Sequence, residues 1–267
     1  MRTTSAPEPD PTVDPWPVDQ ATVVRHWLRR ESDAAASGRA AGPAVDAGAN
    51  EAVPDPDAIG ALSDREALDA LLRAKPGAAN VLARGESVEW YRTAVDGDGF
   101  RALRLIESPP GMLWRSLAPD RSPTTAARTI LRRDPQTLAC EAGVDVDRVL
   151  AIRDALDARG GPAPALIALT RRGRAPWTVV DGNHRAVARA IELVDADARV
   201  DTPVAAEAGS GNGSTSRPRR AGATVGAGGF PPQPLYLGVR PNPVLRPVLE
   251  RLGGVVRGLL GRGTHPL

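Results

Sequence analysis

The feature that most constrains this chain is a junction between a strand and a helix near residue 182. Residues 177–180 are aromatic or β-branched, which favours a strand. Apolar residues then recur at the spacing of one helix face: Val187, Ala190, Ile191 and Val194. Between them lies the polar run 181–185, Asp-Gly-Asn-His-Arg. Because a helix start presents N–H groups and the positive end of the helix dipole, this run predicts an anion site.

Each residue of this run has a role if the anion is a phosphate. Gly182 lets an oxygen approach the backbone, and Arg185 can hold phosphate with two parallel hydrogen bonds. Asn183 can cap the helix or position the ligand, and His184 can donate to the phosphate or relay a proton. Asp181 can bind Mg²⁺ or act as general base. The predicted catalytic residues are therefore Asp181 and His184.

Simpler interpretations of the same residues remain open. Asp181 or Asn183 fits an ordinary N-cap, and Arg185 fits a solvated surface arginine. His184 lies on the helix face of Val187, which suits a half-buried histidine with satisfied hydrogen bonds. In that case the protein is a scaffold and the run is only a capped helix start.

The run resembles the phosphate-binding motif of the ParB/sulfiredoxin superfamily, a Gly-x-x-Arg core at a strand-to-helix junction. Family versions read Gly-Glu-Arg-Arg in ParB proteins, Gly-Cys-His-Arg in sulfiredoxins and Asp-Gly-His-Thr-Arg in ParB-like serine kinases. Gly182 and Arg185 match the core, His184 matches the sulfiredoxin histidine, and Asp181 matches the acidic residue of the kinases. The resemblance covers about 112–200 and the strand at 235–239.

The resemblance implies an α/β (α+β) fold, with a small mixed sheet, packed helices and a helical and hairpin region before it. It also implies a nucleotide or phosphorylated small molecule as ligand, with Mg²⁺. If the site turns over, the protein is a nucleotide hydrolase or a ParB-like kinase. Asn183 stands where sulfiredoxins carry their catalytic cysteine, which argues against sulfiredoxin activity.

A competing hypothesis is a non-enzymatic regulator that binds DNA through a helix-turn-helix-like segment at 135–156. Its spacing places Gly143 in the turn and a recognition helix near Asp145. The opening residues of that helix include Asp145 and Asp147, whose carboxylates would repel a duplex. DNA is therefore the weaker of the two partner hypotheses.

Composition excludes several other classes. Cys140 is the only cysteine and is expected to be a small core residue, so no internal disulfide or cysteine-based metal cluster is expected. The net charge is +2, and no basic run with interleaved aromatic residues is present. No apolar run approaches the length of a membrane span, and the first residues lack a signal peptide's apolar core. We expect a cytoplasmic prokaryotic protein without a membrane partner.

Composition shifts and helix signals divide the chain. Ser63 and Glu66 form a capping box, residues 88–95 and 100–106 suit a hairpin around 96–99, and 112–117 suits a strand. The expected segments are a disordered N-terminus (1–15), a helix (16–37), a linker (38–58), a helix and β-hairpin region (59–111), the ParB/sulfiredoxin-like domain (112–204), a disordered insertion (205–233), a returning strand (234–242) and a C-terminal helix (243–267).

Overall fold

The protein is a mixed α/β structure built around one five-stranded sheet. The computed structural model describes residues 15–36, 53–82, 88–159, 163–171, 174–200 and 230–240. The strand order in the sheet is β1-β2-β5-β3-β4. The strands are β1 (Trp16–Val18), β2 (Glu89–Val95), β3 (Leu166–Arg171), β4 (Arg174–Asp181) and β5 (Gln233–Arg240).

The described residues also form helices of very different lengths. The helices are α1 (Gln20–Ala36), α2 (Asp64–Ala74), α3 (Ala79–Leu82), α4 (Gly97–Arg101), α5 (Leu113–Leu117), α6 (Pro123–Arg132), α7 (Pro135–Ala142), α8 (Val146–Arg159) and α9 (Asn183–Val200). The α/β class predicted from the sequence is therefore confirmed.

The chain divides into two compact units. Besides residues 15 and 16, the described part of the first unit is 92–159, 163–168, 175–200 and 230–236. The described part of the second unit is 17–36, 53–82, 88–91, 169–171, 174 and 237–240.

Packing of α1 against α2 forms the helical part of the second unit. Trp27 and Leu28 of α1 and Leu71 of α2 are almost completely buried. The predicted capping box opens α2: the Glu66 N–H donates to Ser63 Oγ, and the Ser63 N–H donates to Glu66 Oε2. The side-chain bond from Ser63 lowers the pKa of the Glu66 carboxyl. Sequence and structure agree closely here because both capping partners are local.

Helix α9 is the central helix of the first unit, and it packs against α6 and α8. Residues 185–191 are all buried, so the helix is covered all round for nearly two turns. The predicted apolar stripe is present, and small alanines between its members allow the neighbouring helices to approach closely. Because neighbouring elements enclose α9, the orientation of its first turn is fixed.

The predicted β-hairpin at 88–106 is wrong in its second half. β2 forms as expected, but the chain then enters α4, where Asp96 caps the helix by accepting from the Gly99 N–H at 2.9 Å. Phe100 is fully buried and packs on Phe230, with ring centroids 5.2 Å apart. Asp-Gly-Asp-Gly serves as a cap as readily as a turn, and packing of Phe100 selects the helix.

Two further expectations fail in the same unit. Residues 112–117 were expected as a strand and instead include the short helix α5. Cys140 was expected in the core and is exposed, because α7 presents Leu138 and Ala142 to the interior and turns Cys140 outward.

Local caps set the start and end of α7 and the start of α8. Asp134 caps α7 by accepting from the Thr137 N–H, which lowers the pKa of the Asp134 carboxyl. Gly143 ends α7 in the left-handed conformation, at φ 65°, and Asp145 accepts from the Arg148 N–H at the start of α8. The hydrogen bonds within these caps span three or four residues, so local sequence is sufficient to predict them.

Several predicted segments lie wholly or mainly outside the described residues. They are the N-terminus at 1–14, most of the linker at 38–58, most of the insertion at 205–233 and the C-terminal helix at 243–267. The returning strand starts earlier than expected: Gln233 is its first residue and is fully buried. Phe230 also packs in the first unit, so 230–233 do not belong to a disordered insertion.

Candidate anion site at the start of the central helix

The 181–185 run lies where β4 ends and α9 begins. β4 extends to Asp181, Gly182 stands between the two elements, and α9 starts at Asn183. Gly182 has a left-handed backbone, at φ 86°, and its carbonyl accepts from the Ala186 N–H at 2.8 Å. Glycine adopts this conformation without the steric penalty that other residues meet. The sharp turn therefore depends on Gly182, and the helix begins four residues earlier than the apolar stripe alone suggests.

The space beside Gly182 is filled by the protein's own side chains. A Cβ atom at this position would lie 2.8 Å from Arg185 Nη2 and 2.9 Å from its Nε, and 2.8 Å from Leu166 Cδ2. These distances are shorter than normal contacts with a Cβ atom. The missing side chain thus makes room for the Arg185 guanidinium to lie over the turn.

Asp181 and Arg185 form a buried ion pair across the same turn. Arg185 Nη2 lies 2.9 Å from Asp181 Oδ2, and the two side chains are 11% and 9% exposed. Arg185 is therefore not the solvated surface arginine of the simpler interpretation. Removing one partner of a buried pair leaves an uncompensated charge, so these two residues depend on each other.

Asn183 ties the helix start to the segment after α4. Its Oδ1 accepts from the Ile106 N–H at 3.0 Å. The two preceding residues of that segment are also anchored: Arg104 exchanges backbone hydrogen bonds with Trp177 and Val179, and the Leu105 N–H donates to the Arg121 carbonyl. The Asn183 side chain thus positions residues 104–106 beside the junction.

His184 is partly buried and packs against α5. Its ring meets the Trp114 ring edge-on, with centroids 4.9 Å apart and an interplanar angle of 75°. This contact agrees with the half-buried histidine that the helix periodicity allowed. A proton relay through His184 stays a prediction.

The structure brings three of the predicted site residues into direct contact and gives the other two separate neighbours. Asp181, Gly182 and Arg185 form one unit, Asn183 contacts Ile106, and His184 contacts Trp114. Within the described part of the chain, no group of three or more His, Cys, Asp or Glu side chains is arranged to hold a metal. Mg²⁺ commonly binds through one or two carboxylates plus ligand phosphates, so the predicted role of Asp181 stays a prediction.

Sequence reasoning missed Arg189, one turn further along α9. Arg189 is 7% exposed, forms an ion pair with Glu192, and donates from Nη2 to the Pro231 carbonyl at 3.2 Å. Its guanidinium carbon lies 4.6 Å from the centre of the Phe230 ring. Burial lowers the pKa of Arg189. The available signal was an arginine flanked by alanines inside an otherwise apolar stretch.

The helix-turn-helix-like segment is present as a helix pair, α7 and α8, joined by the Gly143 turn. Asp145 and Asp147 are exposed at the start of α8, and the body of α8 packs against α9. DNA binding by this segment stays a prediction.

Among the helices that the structure describes, none combines the length and the apolar character needed to cross a membrane. Comparison of the chain with protein-family models, curated proteins and solved structures gives no match in any of the three.

Proposed function

We propose that this protein binds a phosphate group, carried by a nucleotide or a phosphorylated small molecule, at the 181–185 junction. One observation carries the proposal: a buried arginine, Arg185, lies over a left-handed glycine in the first turn of an 18-residue helix. The guanidinium and the helix dipole act in the same direction, and both favour an anion at this end of α9.

The Asp181–Arg185 pair supports the proposal through orientation. A guanidinium presents five N–H donors in a planar fork that matches phosphate oxygens. Contact between Arg185 Nη2 and Asp181 Oδ2 fixes the rotation of this fork, and Leu166 also packs close to Gly182. A fixed arginine loses less conformational entropy on binding than one that moves freely in solvent.

The remaining residues take the roles that their chemistry allows. Asn183 and His184 line the first turn of α9, and His184 donates to the bound phosphate or relays a proton. Asp181 is the protein ligand for Mg²⁺ that arrives with the phosphates, or the general base. With turnover, the reaction is Mg²⁺-dependent hydrolysis or phosphotransfer.

The proposal extends to a ParB/sulfiredoxin-like fold for the domain. Its support is the Gly-x-x-Arg run at a strand-to-helix junction and the connection of β3 to β4 immediately before it. The mixed α/β class agrees with this assignment.

Calorimetric titration tests the proposed function. Inorganic phosphate, ATP, ADP, CTP and GTP are added with and without Mg²⁺, and phosphate release is followed in parallel. Wild type is compared with the double variant Asp181→Asn/Arg185→Gln, which removes both charges and keeps their shapes. Arg128→Gln is the matched control, because Arg128 is exposed on α6.

We expect binding by wild type and by Arg128→Gln, and at least a ten-fold loss in the double variant, since charge-assisted hydrogen bonds contribute about 1.5–3 kcal/mol. Absence of binding by wild type would reject the function. Binding without phosphate release would reject only the catalytic part.

A further inference from the structure

A second basic cluster lies beside the helix start, and the 181–185 run does not include it. The guanidinium groups of Arg115 and Arg121 both face the carboxylate of Glu107, at N–O distances of 3.9 Å and 3.7 Å. We refer to Glu107, Arg115 and Arg121 as the arginine gate. With two guanidinium groups and one carboxylate, the arginine gate has a net charge of +1.

Each member of the arginine gate adjoins a residue that contacts the helix start or its neighbouring segment. Glu107 follows Ile106, whose N–H donates to Asn183. Arg115 follows Trp114, which packs on His184. The carbonyl of Arg121 accepts from the Leu105 N–H at 2.7 Å. The cluster is therefore anchored next to the proposed phosphate site.

Hydrogen bonds hold the backbone of the arginine gate in place at both Arg115 and Arg121. The Arg115 N–H donates to Ser108 Oγ, and Ser108 Oγ donates to the Met112 carbonyl. Arg121 has a left-handed backbone, at φ 59°, and its N–H donates to the Ala118 carbonyl at 2.8 Å. These bonds fix the backbone at Arg115, which lies in α5, and at Arg121, which lies in the segment between α5 and α6.

The carboxylate of the gate is held loosely. The Glu107 side chain is 73% exposed, and both of its ion pairs are longer than a hydrogen bond. Exposed pairs of this length contribute little to stability. The arginine side chains are 32% and 26% exposed, so an incoming group has access to them. A phosphate or carboxylate that makes short contacts with both guanidinium groups would displace Glu107 at low cost.

We propose that the arginine gate is a second anion subsite, occupied by Glu107 until a ligand with a second anionic group displaces it. This inference rests on the proposed phosphate site at 181–185 and narrows its ligand class. The ligand carries a phosphate for the helix start and a second phosphate or a carboxylate for Arg115 and Arg121. A ligand whose single anionic group binds at the helix start leaves Glu107 in place and gains nothing from Arg115 and Arg121.

Titrations with three probes test the inference at constant ionic strength and without Mg²⁺. The probes are inorganic phosphate, phosphoglycolate and tripolyphosphate, which carry one anionic group, a phosphate with a carboxylate, and a phosphate chain. Wild type, Glu107→Gln and Arg115→Gln/Arg121→Gln are compared, with Arg128→Gln as the charge control.

In wild type we expect phosphoglycolate, tripolyphosphate or both to bind about ten-fold more tightly than phosphate, as a charge-assisted contact would give. The Arg115→Gln/Arg121→Gln variant should lose this gain and keep its affinity for phosphate. Glu107→Gln should increase the gain, and Arg128→Gln should leave it unchanged.

Two results would overturn the subsite. One is an equal affinity of wild type for all three probes, and the other is a gain that persists in Arg115→Gln/Arg121→Gln or falls equally in Arg128→Gln. If phosphate still binds and requires Arg185, only the subsite fails. If none of the three probes binds to wild type, the subsite is rejected, and the nucleotide titrations with Mg²⁺ decide the proposed function separately.

Discussion

Two arginines one turn apart on α9 have different partners although both are buried. Arg185 lies over Gly182 and pairs with Asp181 from the preceding strand, at the end of the helix where the dipole is positive. Arg189 pairs with Glu192 of its own helix and lies against Phe230. The contrast indicates that burial alone does not identify a binding arginine. Position relative to the helix start separates Arg185, which we propose as a ligand residue, from Arg189, which joins the 230–231 segment to α9.

One of the two largest effects is expected for Gly182→Ala. The substitution forces a Cβ into the left-handed turn and against Arg185 and Leu166, so we expect a loss of about 2–5 kcal/mol in the free energy of unfolding. Gly111→Ala is the control, because Gly111 is also left-handed, at φ 71°, with open space around it. Chemical denaturation should show a loss of about 1 kcal/mol in the free energy of unfolding for the Gly111→Ala control. Equal losses would mean that the contact with Arg185 contributes nothing.

The next effect concerns the ion pair of Arg185. Arg185→Gln alone leaves Asp181 as a buried charge without its cation, so we expect destabilisation of about 3–5 kcal/mol. Adding Asp181→Asn should recover much of this loss, because the buried charge is then removed as well. Denaturation of the two single variants and the double variant measures the coupling. Additive losses would contradict the mutual dependence of the pair.

A smaller effect separates Arg189 from Arg185. Phe230→Leu removes the ring under the Arg189 guanidinium and should cost about 0.5–2 kcal/mol in the free energy of unfolding. Phosphate affinity should not change, whereas the double variant at 181 and 185 should lose it. Denaturation and calorimetry on the same Phe230→Leu sample test both statements. A parallel loss of phosphate affinity would mean that Arg189 also belongs to the binding site.

The smallest effect is a pH dependence at the start of α7. The pKa of Asp134 is lowered mainly by the hydrogen bond from the Thr137 N–H. The contribution of this cap is therefore present above the unfolded pKa and is lost as pH falls through the lower folded value. The free energy of unfolding of Asp134→Asn should therefore fall less than that of wild type over this acid range. Thermal denaturation at several acid pH values should show the melting temperatures of wild type and Asp134→Asn converging as the pH falls. A constant difference between the two melting temperatures would contradict this.

The sequence predicted features that depend on neighbours a few residues apart. The Ser63–Glu66 capping box and the Gly143 turn between α7 and α8 are both local. It also located the strand-to-helix junction, because Gly182 and the α9 stripe lie in one continuous stretch.

What the sequence did not predict depends on distant contacts. Phe100 was assigned to a strand because nothing local shows that Phe230 packs on it, 130 positions later in the chain. The approach of Ile106 to Asn183 and the burial of Arg189 have the same origin. At the candidate site, the residue types follow from the sequence, but the pairing of Arg185 with Asp181 over Gly182 depends on how β4 and α9 meet in three dimensions.

Three consecutive amides, those of residues 104–106, connect separate parts of the first unit. They donate to the Trp177 carbonyl, the Arg121 carbonyl and Asn183 Oδ1. Because neighbouring amides on one short segment cannot separate from three partners independently, hydrogen exchange at these positions should follow a single opening event. Occupancy of the helix start would then slow exchange at all three amides together. The segment 104–106 thus offers a local reporter of binding at Asn183.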